Sequence, residues 1–502
     1  MTTRDTPASS GRPLREGAQV ELGFTDLLAN GQAVGRTGGM VVFCFGPLPH
    51  ERARVRITNV KPKYAVAEMV QLTLGSRFRG QPFCPVFGTC GGCQVQHLTY
   101  PAQLGWKRDV VKNALQRIGG FAEIAVRDPV GMINPRSYRN KMSLVVDRAA
   151  GLPQLGFYQQ RSHELVPISA CPIVMPQLNM HIMRLNDALL QPAMADAFAK
   201  TRHIVARTAK TTEQTVVTFT TEEPSRELAA AAPALMRHLP GVVGITNSYD
   251  LSSQNAILGR KHTLLQGVAQ IEETIAGVHY SVSAGSFFQV NVEIVGRIFD
   301  FMRPGLDLPR KIVDLYCGAG TFSLYFAKLG SDVLGVEENP QAIAEANENA
   351  SFNELDGSAR FLCGRVEEAV RRGEVHERLR EAQIVFLDPP RKGSDEVTLA
   401  AVASTGVPNI WYLSCDPATL ARDLKFLAAK GYRIGVVQPF DMFPQTGHIE
   451  TLVTLYRETA MQEQVIAQAF KDAPIPHWPS GELSETANEN QEYPDFVIRE
   501  QD

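Results

Sequence analysis

From Ser283 to about Arg457, short apolar runs of strand length alternate with helix-length runs, and this alternation constrains the fold more than any other feature of the chain. Strands joined by helical crossovers pair in parallel, and a parallel sheet needs helices on both faces. The segment Lys311-Ile-Val-Asp314-Leu-Tyr316-Cys-Gly318-Ala-Gly320-Thr-Phe-Ser323-Leu reads as strand, glycine turn and helix. Gly318 and Gly320 let a ligand approach the backbone at the end of a first parallel strand. The next strand, Asp332-Val-Leu-Gly-Val-Glu337, ends in a carboxylate nineteen residues after Gly318. An acidic side chain there is placed to accept from both ribose hydroxyls of a nucleoside. A dinucleotide site would want a third glycine where Ser323 stands, which argues against a nicotinamide oxidoreductase.

Upstream, residues 14–73 carry short β-prone runs separated by turn signals at Ala29-Asn-Gly and Gly38-Gly39, which predict a small all-β barrel. Arg52, Arg54 and Arg56 alternate along one of its last strands and so share a face. The stretch Glu51 to Gly80 holds seven Lys/Arg against two Glu, a basic surface able to attract a polyanion. Residues 74–283 read as a mixed α+β central domain that opens with a Cys/Gly-rich loop and a helix over Tyr100–Ile118, and residues 284–457 as the α/β domain. Residues 1–13 read as a disordered lead. Residues 458–502 read as an acidic, disordered tail, with nine Asp/Glu against two Lys/Arg from Met461 onward. With 44% apolar and 21% charged residues, composition excludes fibrous and wholly disordered classes. No apolar run approaches a membrane span and the polar N-terminus has no signal-like core, so a cytoplasmic location is expected.

Cys84, Cys90 and Cys93 stand in Phe83-Cys-Pro-Val-Phe-Gly-Thr-Cys-Gly-Gly-Cys-Gln, a C-x5-C-x2-C spacing whose glycines let the thiolates converge on a metal. Cys171, in Ala170-Cys-Pro-Ile, is the best fourth ligand. Four thiolates suit either zinc or an iron–sulfur cluster, and spacing does not choose between them. Cys44, Cys317 and Cys363 lie in apolar strand contexts and are expected to be core residues.

Two further strands end in reactive groups. Ala382-Gln-Ile-Val-Phe-Leu runs into Asp388-Pro-Pro-Arg-Lys-Gly, and Asn409-Ile-Trp-Tyr-Leu into Ser414-Cys415-Asp416-Pro417. Ligands of open α/β sheets bind beyond the carboxyl ends of the strands, where these residues fall. Asp416 suits an N-cap with Pro417 at the first helical position. Cys415 beside a helix N-terminus should favour its thiolate and act as a nucleophile. Glu450, in His448-Ile-Glu450 after an apolar, Pro-containing loop, is a carboxylate whose basicity desolvation would raise. Ser286-Phe-Phe-Gln289-Val-Asn291 offers amide groups at the cofactor's edge.

In order, the blocks Phe287-Phe-Gln-Val-Asn, Asp314-Leu-Tyr-Cys-Gly-Ala-Gly, Asp388-Pro-Pro-Arg-Lys-Gly, Ser414-Cys-Asp-Pro and His448-Ile-Glu450 resemble the RNA uracil-5-methyltransferase family. The resemblance runs from about residue 14 to about 457, and the first barrel resembles a TRAM domain, an RNA-binding module. It implies an N-terminal TRAM/OB-like barrel, a central domain with a four-cysteine cluster, and a class I, Rossmann-like methyltransferase domain. It further implies that Cys415 attacks carbon 6 of uracil and that Glu450 removes the carbon 5 proton. Gln289, Tyr316, Glu337 and Asp388 match positions that contact S-adenosylmethionine, and Cys84, Cys90, Cys93 and Cys171 match those that bind a 4Fe–4S cluster. Barrel and cysteine set together resemble the branch acting on 23S ribosomal RNA. The alternatives are transfer RNA as substrate and a non-catalytic, metal-containing RNA-binding protein. Ser137-Tyr-Arg-Asn-Lys141 joins the barrel as an expected RNA contact, and no obligate protein partner is expected.

Overall fold

The computed structural model describes residues 14–457 except 149–152, 254, 284 and 372. The expected lead and the acidic tail lie outside the described residues.

The alternating N-terminal runs form strands β1 (Gln19–Leu27), β2 (Gln32–Thr37), β3 (Met40–Phe45), β4 (Arg52–Val60) and β5 (Tyr64–Leu74), closed into a barrel in the order β1-β2-β3-β5-β4. Period-two alternation on β4 buries Ala53, Val55 and Ile57 and leaves Arg52, Arg54 and Arg56 outside. Two of those arginines are paired, Arg52 with Glu21 at 3.5 Å and Arg56 with Glu68. The stripe is therefore less positive than its sequence suggests.

Helix α1 (Tyr100–Arg117) follows, as expected, with Pro101 in its first turn. The central sheet takes seven strands in the order β12-β11-β10-β9-β6-β7-β8. In chain order they are β6 (Lys141–Asp147), β7 (Gln154–Tyr158), β8 (Leu165–Pro167), β9 (His203–Thr208), β10 (Thr215–Thr220), β11 (Val242–Tyr249) and β12 (Lys261–Gly267). Helices α2 (Pro176–Leu189), α3 (Pro192–Phe198) and α4 (Arg226–His238) cover it, and the hairpin β13 (Gln270–Ile275) and β14 (Val278–Ser283) leads onward.

Helix α5 (Val292–Met302) opens the last unit, a second seven-stranded sheet ordered β17-β16-β15-β18-β19-β21-β20. Its strands are β15 (Lys311–Leu315), β16 (Asp332–Glu337), β17 (Ala359–Cys363), β18 (Ile384–Leu387), β19 (Asn409–Ser414), β20 (Tyr432–Phe440) and β21 (Glu450–Arg457). The first five pair in parallel, while β21 lies antiparallel between β19 and β20. Strand order reverses between β15 and β18, the switch point at which ligands bind in such sheets. Both faces are packed. Ile384, Phe386, Trp411 and Leu413 join one apolar cluster, and Val385, Leu387, Ile410 and Tyr412 join the other. The crossovers are α6 (Thr321–Lys328), α7 (Pro340–Phe352), α8 (Val366–Ala369), α9 (Gly373–Glu381), α10 (Glu396–Thr405) and α11 (Pro417–Ala429).

Two cysteines depart from their expected strand-core setting. Cys317 is buried, but in the glycine turn rather than on a strand. Cys363 is exposed, because β17 is the edge of the sheet and ends there. Among the described residues no helix is long and apolar enough to cross a membrane.

Candidate active site

The turn after β15 bends as its glycines require. Gly318 and Gly320 have φ of 55° and 82°, and Tyr316 between strand and turn has φ 71°. A Cβ on Gly320 would press Phe361 at 3.1 Å and Ala346 at 3.3 Å, whereas one on Gly318 would face open space. Gly320→Ala should therefore cost about 1–2 kcal/mol of stability through the left-handed backbone alone, read by thermal or urea unfolding; an unchanged midpoint would contradict it. Glu337, at the end of β16, accepts from the Gly318 amide at 3.2 Å and the Asn339 amide at 2.9 Å. Its carboxylate thus braces the turn and stands beside the open space above Gly318. Ser323, where a dinucleotide site wants glycine, donates to buried Asp314, whose carboxyl burial pushes up to about 8.

The segment that follows β18 borders the turn. Asp388 follows β18, and burial pushes its carboxyl up to about 7. The Tyr316 hydroxyl bonds Ser394 at 3.0 Å beyond the same strand. Gln289 is buried in the loop after β14, a loop held from the central sheet. There Asn140 donates to the Gln289 carbonyl at 3.2 Å, and fully buried Arg207 donates to Ser286 and Phe288 carbonyls at 3.1 and 3.3 Å.

Cys415 sits between β19 and α11. Asp416 caps the helix, its carboxylate accepting from the Ala418 and Thr419 amides, with Pro417 at the first position. The cap is as expected, but the thiol's acidity is not. Burial, then the nearby Glu450 and Asp388 carboxyls, push Cys415 up to about 12, against a smaller downward pull from Arg391. A helix N-terminus offers only partial charge, which these larger effects outweigh. Iodoacetamide should accordingly alkylate Cys415 slowly at neutral pH and faster only in strong alkali; a half-rise below about pH 9 would contradict this account.

Glu450 opens β21 and is buried; desolvation, with Asp388 adding to it, holds its carboxyl well above the usual range. The β19–β21 register ends with Ser414 facing Thr451, and just beyond it the Cys415 thiol feels the Glu450 carboxyl. Cys415, Glu450 and Asp388 thus converge, each felt by another's charge. Two further members, Arg391 and His448, carry a signal in the sequence. Arg391 lies within the Asp388-Pro-Pro-Arg block and reaches the His448 ring at 3.4 Å. Both are polar side chains next to a singled-out carboxylate.

The four expected ligand cysteines are brought near one another. Cys93 is pushed up to about 12, chiefly by burial but also by Cys171, Cys90 and Cys84. Cys171 in turn feels Cys84 and Cys90, and accepts from the Ile173 and Val174 amides. The Gly92 amide approaches the Cys90 sulfur at 3.4 Å. Such amide donors suit thiolates. Even so, no group of three or more His, Cys, Asp or Glu able to hold a metal is found among the described residues.

Known proteins share this architecture. Residues 253–458 match the family described as tRNA (Uracil-5-)-methyltransferase, and residues 13–70 match the TRAM domain. An uncharacterized RNA methyltransferase of Thermosynechococcus vestitus is 36% identical, covering 88% of this chain and 98% of its own. One from Bacillus cereus is 33% identical over 91% and 99%. The crystal structure of Pyrococcus abyssi tRNA (uracil-54, C5)-methyltransferase with S-adenosyl-L-homocysteine is 28% identical. It overlaps with a TM-score of 0.68 across 86% of this chain and 99% of that one. The C-terminal sheet and its glycine turn are thus those of an S-adenosylmethionine-dependent methyltransferase, joined to an N-terminal TRAM barrel. The chain belongs to the RNA uracil-5-methyltransferase family.

Proposed function

We propose that the protein methylates carbon 5 of a uridine in RNA through a covalent Cys415 adduct, with Glu450 as the base. The nearness of Cys415 and Glu450, each one residue beyond the Ser414–Thr451 pair that ends the β19–β21 register, carries this reading. Carbon 5 of uracil is a poor nucleophile until the ring is attacked at carbon 6. The part-buried Cys415 thiol loses its proton to solvent, and the thiolate sulfur bonds carbon 6, sending the ring electrons onto the carbon 4 oxygen as an enolate. Carbon 5 then takes a methyl group, which bound S-adenosylmethionine supplies. Glu450 removes the carbon 5 proton, the carbon 5–carbon 6 double bond returns, and the bond from sulfur to carbon 6 breaks. Splitting the reaction in this way replaces one high barrier with lower ones. A carboxyl held near 7, as at Asp388, exists in both forms at neutral pH and suits the donor–acceptor edge of uracil.

For the cofactor, Glu337 is assigned to the ribose hydroxyls, Tyr316 and Asp388 to the walls at the switch point, and Gln289 to the facing loop. Cys84, Cys90, Cys93 and Cys171 are assigned to a 4Fe–4S cluster with a structural role, since they flank the methyltransferase sheet rather than enter it. Iron and acid-labile sulfide in anaerobically purified protein test that assignment; zinc without iron would refute it. We place the protein in the cytoplasm, in keeping with an RNA methyltransferase.

We assign 23S ribosomal RNA as the substrate, on the pairing of a TRAM barrel with the cysteine set. Transfer RNA is the second reading, favoured by the Pyrococcus abyssi neighbour, whose substrate is a tRNA uridine. The target base must leave its stack to reach Cys415. Ribosomal and transfer RNA made with 5-fluorouridine, each incubated with protein and S-adenosylmethionine, decide between them. Fluorine cannot leave as the proton does, so the adduct survives denaturing electrophoresis. A band with ribosomal RNA supports the first reading, and a band with transfer RNA alone the second. No band with either returns the protein to RNA binding without catalysis.

A further inference from the structure

The segment between β20 and β21, residues 441–449, ends at Glu450, and nearly every residue of it is tied to another part of the chain. Asp441 receives fully buried Lys107 at 2.5 Å and the Tyr100 hydroxyl at 2.9 Å, both from α1. Lys107 also donates to the Phe443 carbonyl at 3.1 Å, Asn291 to that of Met442 at 3.1 Å, and Tyr138 to that of Pro444 at 3.1 Å. Gly447 packs so closely on the barrel that a Cβ would lie 1.7 Å from the Ala29 carbonyl oxygen, in the β1–β2 turn.

Gln445 is the hub of this strap. It is buried and has φ of 71°, a left-handed conformation that a glutamine adopts only when its surroundings impose it. Its amide donates to Gln103 Oε1 at 3.1 Å while Gln103 Nε2 donates back to Gln445 Oε1 at 2.9 Å, a reciprocal pair with α1. Its carbonyl accepts from the amides of Gln94 and Val95, both at 3.1 Å, immediately after Cys93. Its Nε2 donates to the Pro135 carbonyl at 3.3 Å. Every polar group of Gln445 is therefore used, and by three separate segments.

We propose that Gln445 is a positioning residue for proton removal: it fixes the strap that delivers Glu450, so that this step depends on the seating of α1, the cysteine loop and the barrel turn. The inference rests on Glu450 being the base. Cys415 comes from β19 and α11, which contribute no hydrogen bond to the Gln445 hub, so capture of the base and its release are separable. Loosening the strap withdraws Glu450 from the carbon 5 proton while the nucleophile and the cofactor turn keep their places. A misplacement near 1 Å at a reacting group costs on the order of 100-fold.

The test follows adduct formation and adduct breakdown separately on uridine RNA, in the full-length, metal-replete protein. In Gln445→Ala and in Gln103→Leu, adduct formation should stay within a few-fold of the parent, breakdown should slow roughly 10- to 100-fold, and the RNA–protein adduct should accumulate. Gln103→Leu leaves the strap's own sequence intact, and it decides the matter if unfolding curves show that Gln445→Ala does not fold. Breakdown at the parental rate, or equal loss of formation and breakdown in a folded variant, overturns the proposal. Glu450→Gln is run alongside: if it traps adduct and the hub variants do not, only the positioning role fails. If it fails to trap, the base assignment itself is wrong.

Discussion

Cys415→Ala should abolish both covalent capture of 5-fluorouridine RNA and methyl transfer to uridine RNA, with turnover down roughly ten-thousand-fold or more. The side chain is small and half-buried at a strand end, so the fold should survive and cofactor binding should change little. No other described cysteine replaces it: Cys317 is buried in the turn and Cys363 faces solvent at the far edge of the sheet. The assays are transfer of a labelled methyl group and the denaturation-resistant band. Normal turnover in this variant would sink the covalent scheme, because an unactivated uracil carbon 5 has no other route to the methyl group here.

Glu450→Gln should do the opposite to the adduct. Glutamine fits the same buried space but cannot take the carbon 5 proton, so adduct forms on ordinary uridine RNA and persists, with product release slowed by about 100- to 10,000-fold. The pH dependence carries a sign. Burial raises the Glu450 carboxyl well above its usual range, and a base must be ionised to act. Activity should therefore fall as pH drops through that raised value, on an acid limb well above the one an exposed glutamate would give. Glu450→Gln should remove the dependence of adduct breakdown on that limb. Rapid release by Glu450→Gln would transfer the role to another group, of which Asp388 is the nearest in charge.

Much of this site was legible in the linear sequence because a parallel sheet collects its chemistry at strand ends. Glu337, Asp388 and Cys415 could be placed from the apolar runs that precede them, and Asp416 from its position before Pro417. Acidity was harder. The helix N-terminus at Cys415 is a local feature, whereas the burial and the carboxylates that override it come from β18 and β21. Cys363 was misread because a strand's apolar composition does not reveal that it lies at an edge. The strap was illegible altogether: Gln103 and Gln445 are 342 positions apart, and nothing in either neighbourhood announces the pair. Likewise the arginine stripe on β4 showed its alternation but hid its glutamate partners, one on β1 and one on β5.

The position of β21 has a consequence for how the protein comes into being. This strand is inserted between two others, and Thr451 to Leu455 are all buried there. It is also the last described strand to leave the ribosome. A nascent chain with β19 but not β21 has its sulfur, yet lacks the central slat that completes the sheet. On the proposed scheme, the strand that completes the sheet is also the one that carries Glu450, the group that would let the RNA go. On that scheme a sheet complete enough to hold Cys415 in place for trapping RNA also holds the group proposed to discharge it.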